Sequence, residues 1–305
     1  MKRLPRIVPW VVFAVAVALC VAVCGQRLIS TTPTVSAAVA AAQDQAPPPP
    51  PDQGQDPAAA NMAPGGPSYT TQTPPPGQPP DQSTYPEQPT ETATEPPPAL
   101  PDYDQPPPPA DGYIWTPGYW AWGPDGYYWV PGAWVEPPYM GALWTPGYWG
   151  FYGGRYSFFP GYWGRHIGFY GGINYGFGYV GLGYEGGYWN SGRFFYNRFY
   201  NHIDARHVHN VYSYNAGNRG RGVSRASFNG GQRGVQARPR PSEVAASREP
   251  TAPRMRTQVQ HARSYSTARG QLAAQNHGRP ATPAVSRPLK ADRNVRPTSH
   301  GGRPK

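Results

Sequence analysis

The sequence Trp115-Thr-Pro-Gly-Tyr-Trp120 decides the fold, because the same pattern of aromatic residues around Pro-Gly returns three more times. The further copies are Trp129-Val-Pro-Gly-Ala-Trp134, Trp144-Thr-Pro-Gly-Tyr-Trp149 and Phe158-Phe-Pro-Gly-Tyr-Trp163, at spacings of 14, 15 and 14 residues. A fixed period is typical of a repeat architecture. Pro-Gly fills the two central positions of a type II turn, with glycine at positive φ. We therefore expect each turn to bring its two flanking aromatic residues together.

The segments between the copies also carry turn signals. Trp122-Gly-Pro-Asp-Gly-Tyr127 and Phe151-Tyr-Gly-Gly-Arg-Tyr156 are typical of tight connections between strands. Ile173-Asn-Tyr-Gly-Phe-Gly-Tyr179 alternates large side chains with asparagine and glycine, which predicts a further strand. The predicted fold is a small all-β, aromatic and Gly-rich repeat module over residues 112–200, arranged as an antiparallel meander.

The core of this module must consist of rings packed against glycine. Residues 112–200 contain nine of the ten Trp, 16 of the 22 Tyr and eight of the ten Phe, but only eight Leu, Ile or Val. We expect the tryptophans of the repeats to form most of the core. A small domain leaves much of its surface in water, and exposed aromatic patches often mark binding sites. Tyrosine tolerates a half-wet position, so the expected contact residues are Tyr119, Tyr127, Tyr128, Tyr148 and Tyr162.

Long segments that we expect to be disordered flank the module. Residues 28–111 are acidic and rich in proline, which predicts an extended spacer. Their Pro-x-x-Pro patterns, which could serve as ligands for aromatic grooves, are the weaker interpretation. Residues 201–305 are basic and poor in apolar side chains, which predicts a disordered tail.

The charge of the chain is segregated between its two halves. The net charge is −12 over residues 28–154 and +18 over residues 155–305. This asymmetry favours envelope glycans or anionic surface polymers as partners of the tail, with nucleic acid the less favoured polyanion. Self-association through opposite ends and a merely solubilising tail are the alternatives.

The first 27 residues have the layout of an export signal. Lys2, Arg3 and Arg6 precede an apolar run from Ile7 to Cys24. Its 18 residues are at the lower limit for a transmembrane helix, so residues 1–27 are interpreted as a signal peptide or a hydrophobic membrane-anchor helix. Cleavage, lipidation at Cys24 and retention as an anchor all stay open. In each case the remainder of the chain is expected outside the cytoplasm, in the periplasm or cell envelope.

Histidines offer the best metal hypothesis. His207-Val-His209 would place two imidazoles on one face of a strand, with His202 and Asp204 nearby. A closed zinc site needs four ligands, and solvated loop histidines are the alternative. We therefore predict neither a metal site nor a cofactor.

Carboxylates offer the best catalytic hypothesis, and the module contains Asp111, Asp125, Glu136 and Glu185. A glycosidase needs two carboxylates that face each other, which spacing alone does not show. We predict no catalytic residue and no enzymatic activity, and a weak hydrolase is the third functional hypothesis.

The repeat motif resembles a known family. The Trp-x-Pro-Gly-x-Trp copies, together with the segments 166–179 and 187–190, are similar to the bacterial YXWGXW (WXXGXW) repeat-containing proteins. Ser227-Phe-Asn-Gly-Gly231 and Ala237-Arg-Pro-Arg-Pro241 resemble that family's tail, so the resemblance covers about residues 112–290. It implies an exported envelope protein of unassigned activity and carries over no functional residues. The predicted function is a structural or interaction protein of the cell envelope, with a carbohydrate-binding module for peptidoglycan or polysaccharide as the alternative.

Overall fold

The four copies of the aromatic motif form the four arms of two β-hairpins in the computed structural model. The structure describes residues 56–64, 89–217, 225–292 and 295–298, which belong to the unit Pro47–Lys305. The predictions for residues 1–27 and for most of the spacer lie outside the described residues. The strands are β1 (Glu91–Ala93), β2 (Ile114–Thr116), β3 (Tyr119–Gly123), β4 (Gly126–Val130), β5 (Ala133–Val135), β6 (Leu143–Thr145), β7 (Tyr148–Tyr152), β8 (Arg155–Phe159), β9 (Tyr162–Gly164), β10 (Asn174–Gly176), β11 (Tyr179–Val180), β12 (Gly187–Asn190), β13 (Arg193–Asn197), β14 (Val211–Tyr212), β15 (Phe228–Asn229) and β16 (Ala252–Pro253). The helices are α1 (Pro241–Arg248), α2 (Arg256–Tyr265) and α3 (Ala273–Asn276), with 3₁₀ turns at Pro57–Asn61 and Arg269–Gln271.

The first hairpin, residues 114–135, keeps one register along its whole length. Trp115 on β2 lies opposite Trp134 on β5, and further along the same arms Trp120 on β3 lies opposite Trp129 on β4. The register of the two arms is therefore the same on both sides of the Pro-Gly dipeptides. Each proline of the motif therefore lies level with the glycine of the facing arm. At the tip, Gly126 adopts a φ of 90° after Pro-Asp, as the turn signal predicts.

The second hairpin, residues 143–164, repeats this arrangement 29 positions later. Trp144 lies opposite Trp163 on β6 and β9, and Trp149 lies opposite Phe158 on β7 and β8. Gly153-Gly154 form the tip with φ angles of 57° and 80°, which matches the predicted two-residue hairpin turn. Three of the four copies begin with tryptophan, and the fourth begins with Phe158. Phe158 has the same place in the second hairpin that Trp129 has in the first.

The predicted type II turn at each Pro-Gly is wrong. The four glycines of the motif, Gly118, Gly132, Gly147 and Gly161, are not among those with positive φ. Each Pro-Gly instead interrupts a ladder and lets the arm continue, so Trp115 pairs with Trp134 and not with Trp120. The physical reason is that proline has no amide donor, and the two arms place their Pro-Gly dipeptides opposite each other, each proline facing a glycine. The missing hydrogen bonds are thereby confined to one level.

The motif glycines are required for close approach rather than for a special backbone angle. A Cβ on Gly132 would lie 2.6 Å from the ring of Trp115 and 3.0 Å from the backbone nitrogen of Gly118. At Gly161, a Cβ would lie 2.6 Å from the carbonyl oxygen of Thr145 on the facing arm. The rings therefore pack across bare backbone at the point where the ladder is interrupted.

The motif tryptophans form the core, as predicted. The pairs that face each other across the hairpins have ring centroids 5.1–5.3 Å apart, in tilted or edge-to-face geometry. Such aromatic pairs add stability beyond the burial of their area. The tryptophans with at most 5% of their surface exposed are Trp115, Trp120, Trp129, Trp134, Trp144, Trp149 and Trp163.

Three contacts join the two hairpins to each other. The indole N–H of Trp149 donates to the carbonyl of Trp120 at 2.7 Å, and its ring contacts Tyr127 edge-on. Tyr119 and Phe158 stack at 5.4 Å with only 9° between their planes. In addition, Tyr179 of the Gly-rich segment bridges the hairpins, because its hydroxyl lies 3.2 Å and 2.9 Å from the backbone oxygens of Trp115 and Trp144.

The predicted single strand at residues 173–179 is wrong, because the chain turns back within it. Phe177 and Gly178 form the tip between β10 and β11, with φ angles of 52° and 93°. A positive φ is uncommon for phenylalanine, and the Phe177 ring lies 5.1 Å from Tyr103 and 5.6 Å from Trp115. Gly178 indicated a turn here, but the alternation of rings with small residues favoured the prediction of a continuous strand.

The flanking segments pack on the hairpins, so the ordered unit is larger than residues 112–200. β1 from the spacer pairs with β8, and the tail supplies β15 beside β7 and β16 beside β9. The pairs of β15 with β7 and of β14 with β13 are parallel, so the sheets are small and mixed rather than a simple meander. Composition favoured disorder here because it counts only a segment's own side chains. The hairpin edges supply the missing hydrogen-bond partners.

Indole groups fix these flanks. Proline lacks an N–H but keeps its carbonyl, so a proline-rich segment can accept hydrogen bonds from outside. Three motif tryptophans use this property and hold the spacer and the tail against the hairpins. The bonds run from Trp120 to Ala99 (3.2 Å), from Trp134 to Pro106 (2.7 Å) and from Trp129 to Pro283 (2.9 Å).

The helices of the tail are short. Helix α1 buries Glu243, whose carboxylate accepts a hydrogen bond from the backbone N–H of Arg240 at 2.8 Å. Helix α2 supplies Gln258, whose side-chain oxygen accepts from the indole of Trp163 at 2.9 Å. Within the residues that the structure describes, no helix has the length and apolar character needed to cross a bilayer.

Candidate functional site

Four of the five tyrosines expected to contact a ligand lie inside the protein. Tyr127, Tyr128, Tyr148 and Tyr162 expose 4–7% of their surface, and Tyr119 is half-buried against Phe158. Burial raises the pKa of Tyr128 to about 12. The expectation of an exposed layer differs from the structure because the flanks cover these rings. Tyr127 donates to the carbonyl of Glu95 in the spacer at 2.8 Å, and Tyr128 bridges to Leu272 in the tail.

Rings from other positions, two of them half-exposed (Tyr139 and Trp189) and two buried, line an open groove, which we call the aromatic groove. Its volume is about 380 Å³. The tip between β12 and β13 forms one wall, and the loop that joins the two hairpins forms the other. Its rings are Tyr113, Tyr139, Trp189 and Phe194, and its polar side chains are Asp111, Glu136, Arg193 and Asn210.

Trp189 is the flat surface of this groove. It is half-exposed on β12, lies opposite Phe194 on β13, and contacts that ring at 5.4 Å with 64° between the planes. Its indole N–H donates to the carbonyl of Ala142 at 3.0 Å, which fixes the orientation of the ring. The turn Ser191-Gly192 beside it has φ angles of 47° and 78°, so the hairpin reverses tightly and presents Trp189 at its edge. A rigid ring is thus held beside polar groups.

The polar side of the groove carries groups of both charges. Lys290 lies 3.8 Å from Glu136 and donates to the hydroxyl of Tyr113 at 2.6 Å. These contacts raise the pKa of Lys290, with the hydrogen bond to Tyr113 as the larger cause. Asp111 accepts a hydrogen bond from the backbone N–H of His209 at 3.1 Å. The lining of the groove therefore combines carboxylates, a cation and an amide with the ring of Trp189, and Lys290 contacts two of the lining residues.

One hydroxyl in this groove has no partner in the described part of the chain. The Tyr139 oxygen is shielded from solvent and makes no hydrogen bond there. Burial raises its pKa to about 12, so the hydroxyl stays protonated at neutral pH.

The carboxylates considered for catalysis are distributed over three places. Asp111 and Glu136 both line the aromatic groove. Asp125 is exposed at the tip of the first hairpin, as expected for a turn residue. Glu185 is buried with 4% of its surface exposed, and its backbone N–H donates to Gly178 at 2.8 Å. The groove thus unites two of the four candidates.

Two of the three histidines lie beside carboxylates, and the backbone N–H of the third, His202, donates to the side-chain oxygen of Gln105 at 3.2 Å. The Nδ1 atom of His209 lies 3.2 Å from Asp111, and that of His207 lies 3.6 Å from Asp204. Hydrogen bonds from Arg206 hold the pKa of Asp204 below its usual range. No group of three or more metal-binding side chains is found within residues 56–64, 89–217, 225–292 and 295–298.

Sequence reasoning missed Trp189, Arg193 and Asn210 as groove residues. The available signal was Asn190-Ser-Gly-Arg193, a tight-turn sequence between two aromatic segments, which brings Trp189 and Phe194 opposite each other. Asn210 carried no comparable signal, because its place depends on the parallel strand β14.

Comparison with known proteins identifies the repeat. Residues 111–135 match the model of the WXXGXW repeat in two copies. Neither the curated proteins nor the solved structures contain a match to this chain. The matched range covers both arms of the first hairpin, residues 114–135. The resemblance drawn from the sequence is thereby confirmed over residues 111–135, where the chain carries the WXXGXW repeat.

Proposed function

We propose that this chain is a non-catalytic, exported protein of the cell envelope that binds envelope glycan, peptidoglycan or another polysaccharide, in the aromatic groove. In this proposal the repeat hairpins are a rigid frame and do not themselves contact the ligand. The single observation that carries it is Trp189, a half-exposed indole fixed by its hydrogen bond to Ala142 beside polar side chains. Ligand sites commonly combine aromatic walls with a few polar groups that orient the ligand.

The burial of the repeat tryptophans supports the proposal that the hairpins are a frame and that the ligand binds elsewhere, in the aromatic groove. Side chains such as Trp115 and Trp134, with no exposed surface, cannot stack on a polymer without unfolding the hairpin. The groove lies outside the first hairpin's ladder and takes its rings from the flanks of the repeats. Its mixture of Asp111, Glu136 and Arg193 fits the hydroxyl groups of a sugar, which both donate and accept hydrogen bonds.

Replacing Trp189 by alanine is expected to weaken binding of the full chain to insoluble peptidoglycan or polysaccharide by about fivefold to 150-fold. An aromatic stacking contact contributes about 1–3 kcal/mol, and the fold does not depend on this half-exposed ring in the way it depends on the core tryptophans. Binding is measured by co-sedimentation, with release by soluble oligosaccharide compared with release by salt. The full chain is required because the spacer and the tail complete the fold.

Trp122→Ala is the matched control. Trp122 is also half-exposed and also lies in a hairpin, but it contacts Tyr127 at the tip of the first hairpin and does not line the groove. Binding should be unchanged in this variant and should be released by soluble sugar. Equal losses in both variants, or release by salt alone, would remove the groove from the proposal.

The same experiment separates binding from hydrolysis. Glu136 and Asp111 both line the groove, so a hydrolase would act there. We expect no soluble fragments from the sedimented polymer. Fragments that disappear in Glu136→Gln would show that the protein is an enzyme and would contradict the non-catalytic part of the proposal.

Export is tested separately. The proposal places the chain in the envelope fraction, with the apolar run Ile7 to Cys24 removed, lipidated or retained. Cell fractionation combined with mass measurement of the mature N-terminus distinguishes these three forms. Recovery of the intact chain in the cytoplasm would contradict export.

A further inference from the structure

A second groove lies where the spacer and the tail meet on the second hairpin, and we call it the arginine groove. Its volume is about 900 Å³, and it shares no lining residue with the aromatic groove. Its floor is made of rings, and its charged lining residues are both arginines. The residues that matter below are Phe151, Tyr156, Phe228, Arg225 and Arg233.

The ring floor of this groove is rigid. Phe151 and Tyr156 face each other across β7 and β8 with centroids 4.9 Å apart, and both are half-exposed. Tyr156 meets Phe228 edge-on at 5.1 Å, and Phe228 belongs to β15, which pairs with β7. Gly231 closes over Phe151 so tightly that a Cβ there would lie 3.3 Å from the ring. Two half-exposed rings are therefore held in place by their neighbours at the floor of the groove.

The arginines are positioned for an anion. The Nε–H of Arg225 donates to the carbonyl of Leu100 at 2.8 Å, which anchors this exposed side chain at the groove. Arg233 is exposed and makes no hydrogen bond or ion pair with any residue in the described ranges. A guanidinium group matches the two oxygens of a carboxylate or phosphate with parallel hydrogen bonds. Charge complementarity therefore requires an anionic ligand.

The arginine groove shares one lining residue, Arg225, with a second cavity. This second cavity has a volume of about 340 Å³, and Leu100 lines it together with Arg225. That cavity has the half-exposed rings of Tyr103 and Phe177, with Asp102 at its rim. Arg225 thus contributes its positive charge to two cavities, and half-exposed rings line each of them.

We propose that the arginine groove binds an acidic polysaccharide, in which carboxylate or phosphate groups are carried on sugar rings. The guanidinium groups of Arg225 and Arg233 bind the anions, and Tyr156 and Phe151 stack on the sugar faces. This inference goes beyond the proposed function, because it assigns a second site with a different ligand class. It stands or fails independently of Trp189.

Isothermal titration of the full chain with a uronic-acid oligosaccharide tests the site. A neutral oligosaccharide of the same length and inorganic polyphosphate are the comparison probes. We expect the acidic oligosaccharide to bind at least about tenfold more tightly than the neutral one, because a hydrogen bond to a charged group is worth about 1.5–3 kcal/mol. Arg233→Ala should weaken binding of the acidic oligosaccharide about tenfold, whereas Trp189→Ala should leave this affinity unchanged.

Two variants distinguish binding at a specific site from general electrostatic attraction to a basic protein. Arg248→Ala removes the same charge from an exposed arginine of α1 outside the groove, and should change the affinity less than twofold. Tyr156→Leu keeps an apolar side chain but loses the flat ring, so it should weaken the acidic oligosaccharide and not polyphosphate. If Tyr156→Leu fails to fold, Phe151→Leu provides the same test.

The proposal is overturned by any of three results. Equal losses in Arg233→Ala and Arg248→Ala would mean that net charge alone attracts the ligand. Polyphosphate binding as tight as that of the acidic oligosaccharide, with no effect of removing a ring, would mean that the sugar faces are not recognised. Absence of binding by the acidic oligosaccharide would exclude the site altogether.

Discussion

Gly132→Ala is expected to lower the free energy of unfolding by about 2–3 kcal/mol, or to prevent folding of the chain altogether. A Cβ at this position would lie 2.6 Å from the ring of Trp115 and 3.0 Å from the backbone nitrogen of Gly118. Trp115 has no exposed surface, so its ring cannot move aside without disturbing its partner Trp134. Urea or thermal unfolding, followed by tryptophan fluorescence, measures the loss.

Gly153→Asn is the control for this prediction. Gly153 lies at the tip of the second hairpin with φ at 57°, and a Cβ there would meet nothing within 4 Å. Asparagine tolerates this left-handed conformation, so we expect a cost of about 1 kcal/mol or less. If Gly132→Ala were as mild as Gly153→Asn, the close approach of the two arms at the Pro-Gly level would be wrong.

Trp149→Ala is expected to destabilise the protein by about 3–5 kcal/mol, the range for truncating a buried tryptophan. This side chain contacts Phe158 within its own hairpin, contacts Tyr127 of the other hairpin, and donates a 2.7 Å hydrogen bond to the carbonyl of Trp120. Its loss therefore removes packing inside one hairpin and the main polar link between the two.

Graded variants identify what Trp149 contributes. Trp149→Phe keeps a ring but lacks the N–H, so it should cost about 1–3 kcal/mol, which includes the penalty for an unpaired buried carbonyl at Trp120. Trp122→Ala, at a half-exposed position, should cost about 1 kcal/mol. Chemical denaturation of the three variants gives the order. A Trp149→Ala variant no less stable than Trp122→Ala would contradict the assignment of Trp149 as the link between hairpins.

Much of the hairpin frame could be predicted from the sequence. The turn signals at residues 122–127 and 151–156 correctly gave the two hairpin tips, because glycine at positive φ is a local requirement. The burial of the tryptophans followed from the scarcity of aliphatic residues. The Pro-Gly dipeptide alone did not show that it interrupts a strand here, because the same dipeptide is also typical of a type II turn. The choice depends on the facing arm, where a second Pro-Gly occupies the same level.

The candidate sites were harder to predict, because they are formed by segments whose sequences carry no recognisable structural motif. Glu91 to Ala93 pairs with β8, and Arg225 reaches Leu100, although both segments have compositions typical of disorder. The partners of these segments are hairpin edges and indole N–H groups, which are distant in sequence. Tyr127 and Tyr128 were expected at the surface for the same reason, since the spacer and tail that cover them were predicted to be free.

The register of the first hairpin is the central claim, and cysteine cross-linking tests it most directly. In a full chain with Cys20 and Cys24 replaced by serine, Thr116→Cys and Ala133→Cys are introduced together, because Thr116 faces Ala133 across β2 and β5. Cross-strand neighbours have Cβ atoms about 4.5–5.5 Å apart, close to the range that a disulfide requires. The comparison pair, Ile114→Cys with Ala121→Cys, would face each other only if Pro-Gly were a tight bend. Mass spectrometry of peptides after mild oxidation should find the 116–133 disulfide and no 114–121 disulfide, and the reverse result would contradict the hairpin.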